Sequence, residues 1–267
     1  MKKNNRTTKK CIGVLMACAA LVTVMLTGCG TGDSDTEEKS EEALEKADVQ
    51  ELPTVGLAYE TAKDTAVDIK ALQAENPDVF AWLYIPGTDI DCPVLQSEEA
   101  DDYYESHDKF GNVSDEGALY TELANLKNMC DFNTVIHGKT APDGTSGLFH
   151  ELYQYSDPEF FDQNSLVYLY LDGNLLTYEV FAAYERENTS LIRTYDFTYI
   201  SGCQQFLNDL YEKGMGKNIR EGWQGINPGN FLITLTTELT PDADRQFVVV
   251  AALVGDAAGT IDRAVIE

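Results

Sequence analysis

Two apolar runs near the C-terminal end give the clearest structural pattern in the chain. Residues 231–235 (FLITL) and 247–253 (FVVVAAL) are rich in β-branched and aromatic residues, and the polar segment between them contains Pro241. Such residues favour strands, whereas a proline among Asp and Thr residues favours a turn. The pattern therefore predicts two strands joined by a short connection.

Shorter runs of the same kind precede this pair, together with two helical patterns. Apolar residues recur at helical spacing from about residue 57, and that helix should end near Asn76, because a residue before proline avoids the α region. A second helix is predicted at residues 201–213 from its single apolar face. The domain is therefore expected to be mainly β with accessory helices. Further strands are predicted at residues 81–85, 90–96, 165–171 and 175–184, the last two forming a hairpin.

The first 28 residues have the pattern of a bacterial signal peptide. Basic residues precede an apolar run of 16 residues, short for a membrane-spanning helix, and the run ends Leu26-Thr27-Gly28-Cys29. This ending resembles the lipobox of bacterial lipoproteins, which implies that Cys29 is diacylated and becomes the first mature residue. The lipid implies attachment to the outer face of the cell membrane. An uncleaved signal anchor is the alternative.

The pattern divides the chain into four parts. After the signal peptide at 1–28, residues 29–56 are acidic and poor in apolar side chains, so we expect a flexible tether that cannot bury enough surface to fold. Residues 57–256 contain all the predicted strands and form the folded domain. Residues 257–267 are a C-terminal tail.

Composition restricts the partners of this domain. Residues 1–28 hold five of the 19 lysines and arginines and none of the 45 acidic residues, so the chain from Cys29 onward has a net charge of −31. This charge argues against nucleic acid as a partner. The three cysteines of the folded part cannot all pair with one another, and no metal-ligand spacing or cofactor motif is present. We therefore expect no cofactor and no metal.

Several sequence blocks, in order along residues 58–254, resemble class B sortases, a family of cell-wall transpeptidases. Residues 76–96 contain the Trp, Ile-Pro-Gly-Thr and Pro-Val elements of the family's first strands, and residues 133–140 (NTVIHGKT) match the strand and loop that carry its catalytic histidine. The run Thr234-Leu235-Thr236-Thr237 matches the strand that leads to its nucleophile. The resemblance implies a sortase-type closed β-barrel, mostly antiparallel, with an N-terminal helix packed on it.

The catalytic residues that the resemblance implies are replaced in this chain. A sortase needs a nucleophilic cysteine, a histidine for proton transfer and an arginine that steadies the substrate or oxyanion. Glu238 stands at the nucleophile position, and Lys139 stands where the histidine follows a glycine. The arginine position is held by Gln246, or by Arg245 if a bulge shifts the register. The triad is therefore degenerate at Lys139, Glu238 and Gln246.

Two residues remain as possible substitutes. His137 lies two residues before Lys139, and side chains two apart in a strand share a face, so His137 can approach the site; a partly buried replacement for a tyrosine is the alternative. Arg245 is the second possible substitute. The opposite charges of Glu238 and Lys139 also predict a salt bridge across the cleft that corresponds to the family's catalytic site.

Three functions are compatible with these residues. The first is a non-catalytic, sortase-like lipoprotein of the cell envelope that binds a sorting-signal-like peptide, a cell-wall peptide or an envelope protein. The second is a transpeptidase with a rearranged site that uses His137 and Arg245, for which the nucleophile is missing. The third is a hydrolase in which Glu238 is the general base and His137 assists it.

Overall fold

The folded domain is seen in a computed structural model that describes residue 62 and residues 67–213, 215–223 and 225–261. The predicted signal peptide, Cys29, the tether, the first turns of the N-terminal helix and the end of the C-terminal tail lie outside these residues. The predicted β-rich class is confirmed. Nine strands are described: β1 Val79–Tyr84, β2 Asp91–Leu95, β3 Leu119–Tyr120, β4 Asn133–His137, β5 Leu166–Leu171, β6 Asn174–Glu187, β7 Met215–Ile219, β8 Leu232–Glu238 and β9 Arg245–Asp256.

Eight of these strands form a closed barrel. Hydrogen bonding follows the order β5-β1-β2-β3-β4-β8-β9-β6-β7, and a further pairing of β5 with β6 closes the ring. Closure removes the free sheet edges that would otherwise invite aggregation. The β2–β3 and β4–β8 pairs are parallel, and the remaining pairs are antiparallel. The barrel is therefore mostly antiparallel, as the family resemblance implied.

Strand β6 is long enough to serve two neighbours along one edge. Its first half pairs with β5 in the predicted hairpin, with Leu171 opposite Asn174, and its second half pairs with β7. Its other edge pairs with β9 from Leu176 to Glu187. The C-terminal end of β6 therefore continues beyond its pairing with β5, towards one end of β9.

The described residues form four helices around this barrel: α1 Ile69–Glu75, α2 Pro158–Gln163, α3 Leu191–Thr194 and α4 Ile200–Lys213. Two 3₁₀ turns, Tyr103–Glu105 and His150–Ser156, complete the helical elements of the described chain. Helix α1 begins with a side-chain cap, since Asp68 accepts a hydrogen bond from the Ala71 amide at 2.9 Å, and it ends before Pro77 as predicted. Ile69 is buried and Leu72 packs beside Tyr104 and Leu95, so the N-terminal helix is packed on the barrel.

The apolar run of β9 is continuous because both faces of this strand are buried. Phe247, Val249 and Ala251 point into the barrel core, whereas Val248, Val250 and Ala252 belong to a second core. Alternation along a strand sends neighbouring side chains to opposite faces, so a run without polar residues is expected where both faces are covered. Helix α4 covers the outer face through Cys203, Phe206, Leu207 and Leu210.

A search of the described helices finds none with the length and hydropathy needed to cross a bilayer.

Candidate functional site

A cavity of about 210 Å³ lies where the ends of β4, β8 and β9 meet. Strands β4 and β8 run parallel with His137 opposite Thr236, and β8 and β9 run antiparallel with Glu238 opposite Gln246. The last residue of β4, the last residue of β8 and the second residue of β9 therefore gather at one place. The segment after β6 and the start of α3 provide the facing wall.

Four of the five residues predicted for the catalytic positions and their substitutes line this cavity. Lys139, Glu238, Gln246 and His137 are all in its wall, whereas Arg245 is not. The β8–β9 register is unbroken from Leu232 to Glu238, so no bulge turns Arg245 inward. Arg245 instead forms an ion pair with Glu185, at 3.3 Å between Nη2 and Oε2.

Gln246 is a buried amide whose hydrogen-bonding groups are all in use. Its Oε1 accepts a hydrogen bond from the Thr236 hydroxyl. Its Nε2 donates to the carbonyl oxygens of Glu187 at 3.1 Å and Thr189 at 2.9 Å. The side chain is 5% exposed, and such burial requires satisfied polar atoms. Gln246 therefore connects β9 to the segment that follows β6.

Glu238 and Lys139 do not form the predicted salt bridge. Glu238 is exposed, and its Oε1 accepts a hydrogen bond from Asn188 Nδ2 at 2.9 Å. Lys139 Nζ instead lies 3.4 Å from the carbonyl oxygen of Asp115. The prediction was wrong because an exposed ion pair contributes only about 0–1 kcal/mol, which is too little to draw both side chains away from such partners.

His137 has a carboxylate partner that the sequence reasoning missed. Its Nε2 lies 3.4 Å from Glu122 Oε1, and its ring stacks on Tyr120 with ring centroids 5.0 Å apart. The same Oε1 accepts a hydrogen bond from the Ser190 hydroxyl at 3.3 Å. The contact with His137 is the main reason that the pKa of Glu122 lies below its usual value, although burial acts in the opposite direction.

A signal for Glu122 was present in the sequence. Tyr120 and Glu122 are two residues apart, and Tyr120 pairs with His137 across β3 and β4. Residues two apart in extended chain point to the same side. An acidic residue two places after the aromatic end of β3 was therefore a candidate neighbour for His137.

None of the three cysteines in the described chain lines this cavity. Cys203 lies on the buried face of α4, with its thiol 3.4 Å from the Phe197 carbonyl oxygen. Burial raises the pKa of the Cys92 thiol to about 12. Cys130 is half-buried and lines a different cavity, between the segment before β4 and the start of the α3–α4 connection. The part of the chain that the structure describes therefore places no thiol at the site.

Comparison with known proteins gives consistent relatives. No protein-family profile matches the chain. The chain is 35% identical over 135 residues to sortase B of Listeria monocytogenes, covering 50% of each protein, so the match spans half of that relative's length. It is 25% identical over 189 residues to sortase B of Staphylococcus aureus, covering 69% of this chain and 74% of the relative.

Solved structures agree with this similarity. A mutant form of Clostridium perfringens sortase B superposes with a TM-score of 0.61 at 26% identity, covering 70% of this chain and 86% of the other. A Streptococcus pyogenes class B sortase involved in pilus biogenesis also has a TM-score of 0.61, at 24% identity and with 70% and 98% covered. The second likeness concerns the fold alone.

Proposed function

Because the chain belongs to the class B sortase family, we propose that it is a non-catalytic, sortase-like lipoprotein of the cell envelope that uses the described cavity to bind a peptide. The ligand class is a sorting-signal-like or cell-wall peptide, presented free or by an envelope protein. In this proposal the chain retains the binding region of the family and lacks its transpeptidase activity.

The proposal rests on the residue that stands at the nucleophile position. Glu238 lies at the end of β8, where the resemblance implies the catalytic cysteine, and its carboxylate is engaged with Asn188. Removing the nucleophile of a catalytic triad costs about a million-fold in rate, and later losses add little. The presence of Lys139 and Gln246 at the other two positions is consistent with that loss.

Binding is supported by the shape and lining of the cavity. It is concave, and its wall combines apolar surface with amide, hydroxyl and charged side chains. Such a mixture is typical of sites that bind small ligands or peptide segments. Glu238, which is exposed, and Lys139, which is half-buried, add charged groups to the cavity wall that can hydrogen-bond a peptide.

The alternative, a transpeptidase with a rearranged site, receives less support. Arg245 forms an ion pair with Glu185 and does not line the cavity. His137 does line it, but its carboxylate partner is Glu122, and none of the described cysteines lines the cavity. A hydrolase based on Glu238 and His137 requires no cysteine, so activity has to be measured directly.

The test is to incubate the full chain with peptides that carry sortase-type sorting signals and with an amine acceptor. We expect no cleaved or transferred product by mass spectrometry, together with saturable peptide binding by calorimetry. The variant Thr189→Trp should weaken binding at least tenfold, because the indole fills the cavity. Gln205→Trp, on the exposed face of α4, is the matched control and should bind like the unmodified chain.

Any one of three results would contradict the proposal. Product that disappears after alkylation, and after replacement of Cys92, Cys130 or Cys203, would identify a cysteine transpeptidase. Product that resists alkylation but is lost in Glu238→Gln would identify the hydrolase instead. Absence of both product and binding would show that this cavity is not a peptide site.

The lipid anchor is a separate part of the proposal. The sequence before Cys29 has the lipobox pattern, and an acylated Cys29 would hold the folded domain on the outer face of the membrane. We expect Cys29→Ala to release the protein from the membrane fraction or to block its processing. Unchanged processing and membrane retention would refute the anchor and leave the proposed binding activity unaffected.

A further inference from the structure

Residues 187–190, between β6 and α3, form one wall of the cavity, and we call them the 187–190 segment. Its members are exposed or half-buried and belong to no strand or helix apart from Glu187, the last residue of β6. A short exposed connection of this kind has few apolar contacts of its own. Its position must therefore be set by polar contacts with the barrel.

Gln246 makes the first of these contacts. Its amide nitrogen donates to two carbonyl oxygens of the segment, those of Glu187 and Thr189. The hydroxyl of Thr236 donates to the same side chain and fixes the orientation of the amide. A carboxylate at this position could accept from Thr236 but could not donate to the two carbonyls.

Glu238 and the β8–β9 connection make the second contact. The side-chain amide of Asn188 donates to Glu238 Oε1 and to the Ala243 carbonyl oxygen, each at 2.9 Å. The backbone amide of Asn188 donates to the Asp244 carbonyl oxygen at 2.8 Å. Asn188 is therefore held both by the residue at the nucleophile position and by the turn that follows it.

Glu122 makes the third contact. Its carboxylate accepts a hydrogen bond from the Ser190 hydroxyl, and Ser190 in turn accepts from the Arg193 amide as the cap of α3. The three consecutive residues 188, 189 and 190 are thus each held by a different acidic or amide side chain of the barrel. Two of those side chains, Glu238 and Gln246, occupy the degenerate catalytic positions.

We propose that Gln246, Glu238 and Glu122 are positioning residues that hold the 187–190 segment as a fixed wall of the cavity. The positions that serve chemistry in the family serve in this chain to set the shape of the cavity. The inference deepens the proposed binding function, because the fixed wall determines which ligand fits.

Hydrogen exchange of the full chain, read by mass spectrometry, tests the proposal without a ligand. In Gln246→Glu two hydrogen bonds to the segment are lost, and we expect amides of residues 187–191 to exchange about 30-fold faster at neutral pH. Amides of β5 should keep their protection, which separates local opening from general loss of stability. At acidic pH the glutamic acid regains a proton to donate, so the difference from the unmodified chain should shrink.

Glu238 provides a second variant at an exposed position, where folding is not at risk. Glu238→Gln keeps an acceptor for Asn188 and should exchange like the unmodified chain, whereas Glu238→Leu should exchange about fivefold faster at residues 187–191. Glu105→Leu is the matched control, because Glu105 is an exposed carboxylate of the same cavity whose side chain makes no hydrogen bond to the segment. Its exchange in this region should not change.

Unchanged exchange at residues 187–191 in both Gln246→Glu and Glu238→Leu would overturn the proposal. Equal acceleration in Glu238→Gln and Glu238→Leu would also overturn it, because charge rather than the hydrogen bond would then be responsible. Because no peptide is added, a negative result here is distinct from a failure of the peptide-binding experiment.

Discussion

Two buried carboxylates of this domain each lie beside a basic side chain, and their pKa values move in opposite directions. Glu122, at the cavity, contacts His137 and accepts a hydrogen bond from Ser190, and its pKa is lowered. Glu179, on β6, lies 3.7 Å from Arg220, and its pKa is raised by burial. A basic side chain nearby is therefore not sufficient to favour the charged carboxylate.

Hydrogen bonding to each carboxylate explains the difference. Neither oxygen of Glu179 has a hydrogen-bond partner among the described residues. The Arg220 guanidinium instead donates to the carbonyl oxygens of Val180 at 3.0 Å and Phe161 at 2.8 Å. At Glu122 the serine hydroxyl and the imidazole both approach the carboxylate itself. Burial dominates where the donors are used elsewhere, and pairing dominates where they point at the acid.

The largest effect on stability should come from removing the arginine that faces Glu179. Arg220→Met removes two donors from backbone carbonyls and leaves the fully buried Glu179 without a cation, so we expect a loss of about 3–5 kcal/mol in the free energy of unfolding. Urea unfolding at pH 7 measures this. Arg193→Met is the control, because Arg193 is exposed and lies 3.8 Å from Asp101, and it should cost no more than about 1 kcal/mol. Equal losses in the two variants would show that Arg220 is not a buried partner.

The pH dependence of stability should sharpen the comparison at Glu179. Because the folded state raises the pKa of this carboxyl above 4.5, its stabilising effect is full below that value and is lost as pH rises through the folded pKa. The isosteric Glu179→Gln should remove this part of the slope, and it should be more stable than the unmodified chain at pH values above the folded pKa. Unfolding curves from pH 4 to pH 8 provide the measurement, and parallel curves for the two proteins would contradict the prediction.

The opposite sign and a smaller effect are expected at Glu122. The folded state lowers the pKa of Glu122 below 4.5, so its contribution is present above that value and is lost as pH falls through the folded pKa. Glu122→Gln should destabilise the domain at pH 7 by up to about 1 kcal/mol and should flatten the acid limb of the stability curve. His137→Phe keeps the stacking on Tyr120 and removes the contact with Glu122, so it should flatten the same limb. A steeper acid limb in either variant would count against the pairing.

The sequence predicted the scaffold well because the scaffold is specified locally. The β5–β6 hairpin has strand-forming runs with Asp172-Gly173 between them, and α4 has an apolar face at helical spacing. The hairpin and α4 depend on neighbours in the chain, which periodicity and turn chemistry can reveal. The closed barrel and its packed N-terminal helix, which the family resemblance implied, were also correct.

The sequence predicted which positions form the site but not the contacts between them, because these contacts join segments that are distant along the chain. Glu122 and Ser190 are 68 residues apart, and Gln246 and Thr189 are 57 apart. Motif spacing located Lys139, Glu238 and Gln246, but it could not show that Glu238 faces Asn188 rather than Lys139. Partner choice among exposed side chains depends on small energies, which no local pattern encodes.

The two buried faces of β9 bear on how the site of such a domain can diverge. From Phe247 to Ala252 every side chain belongs to one of the two cores, so almost any replacement there disturbs the packing on one side of the sheet. Gln246 lies just before that stretch and Glu238 is the last residue of β8. Within one strand, the residues at the end therefore tolerate replacement better than the residues in the middle. A lineage can exchange the residues at the strand ends while selection for folding preserves the barrel.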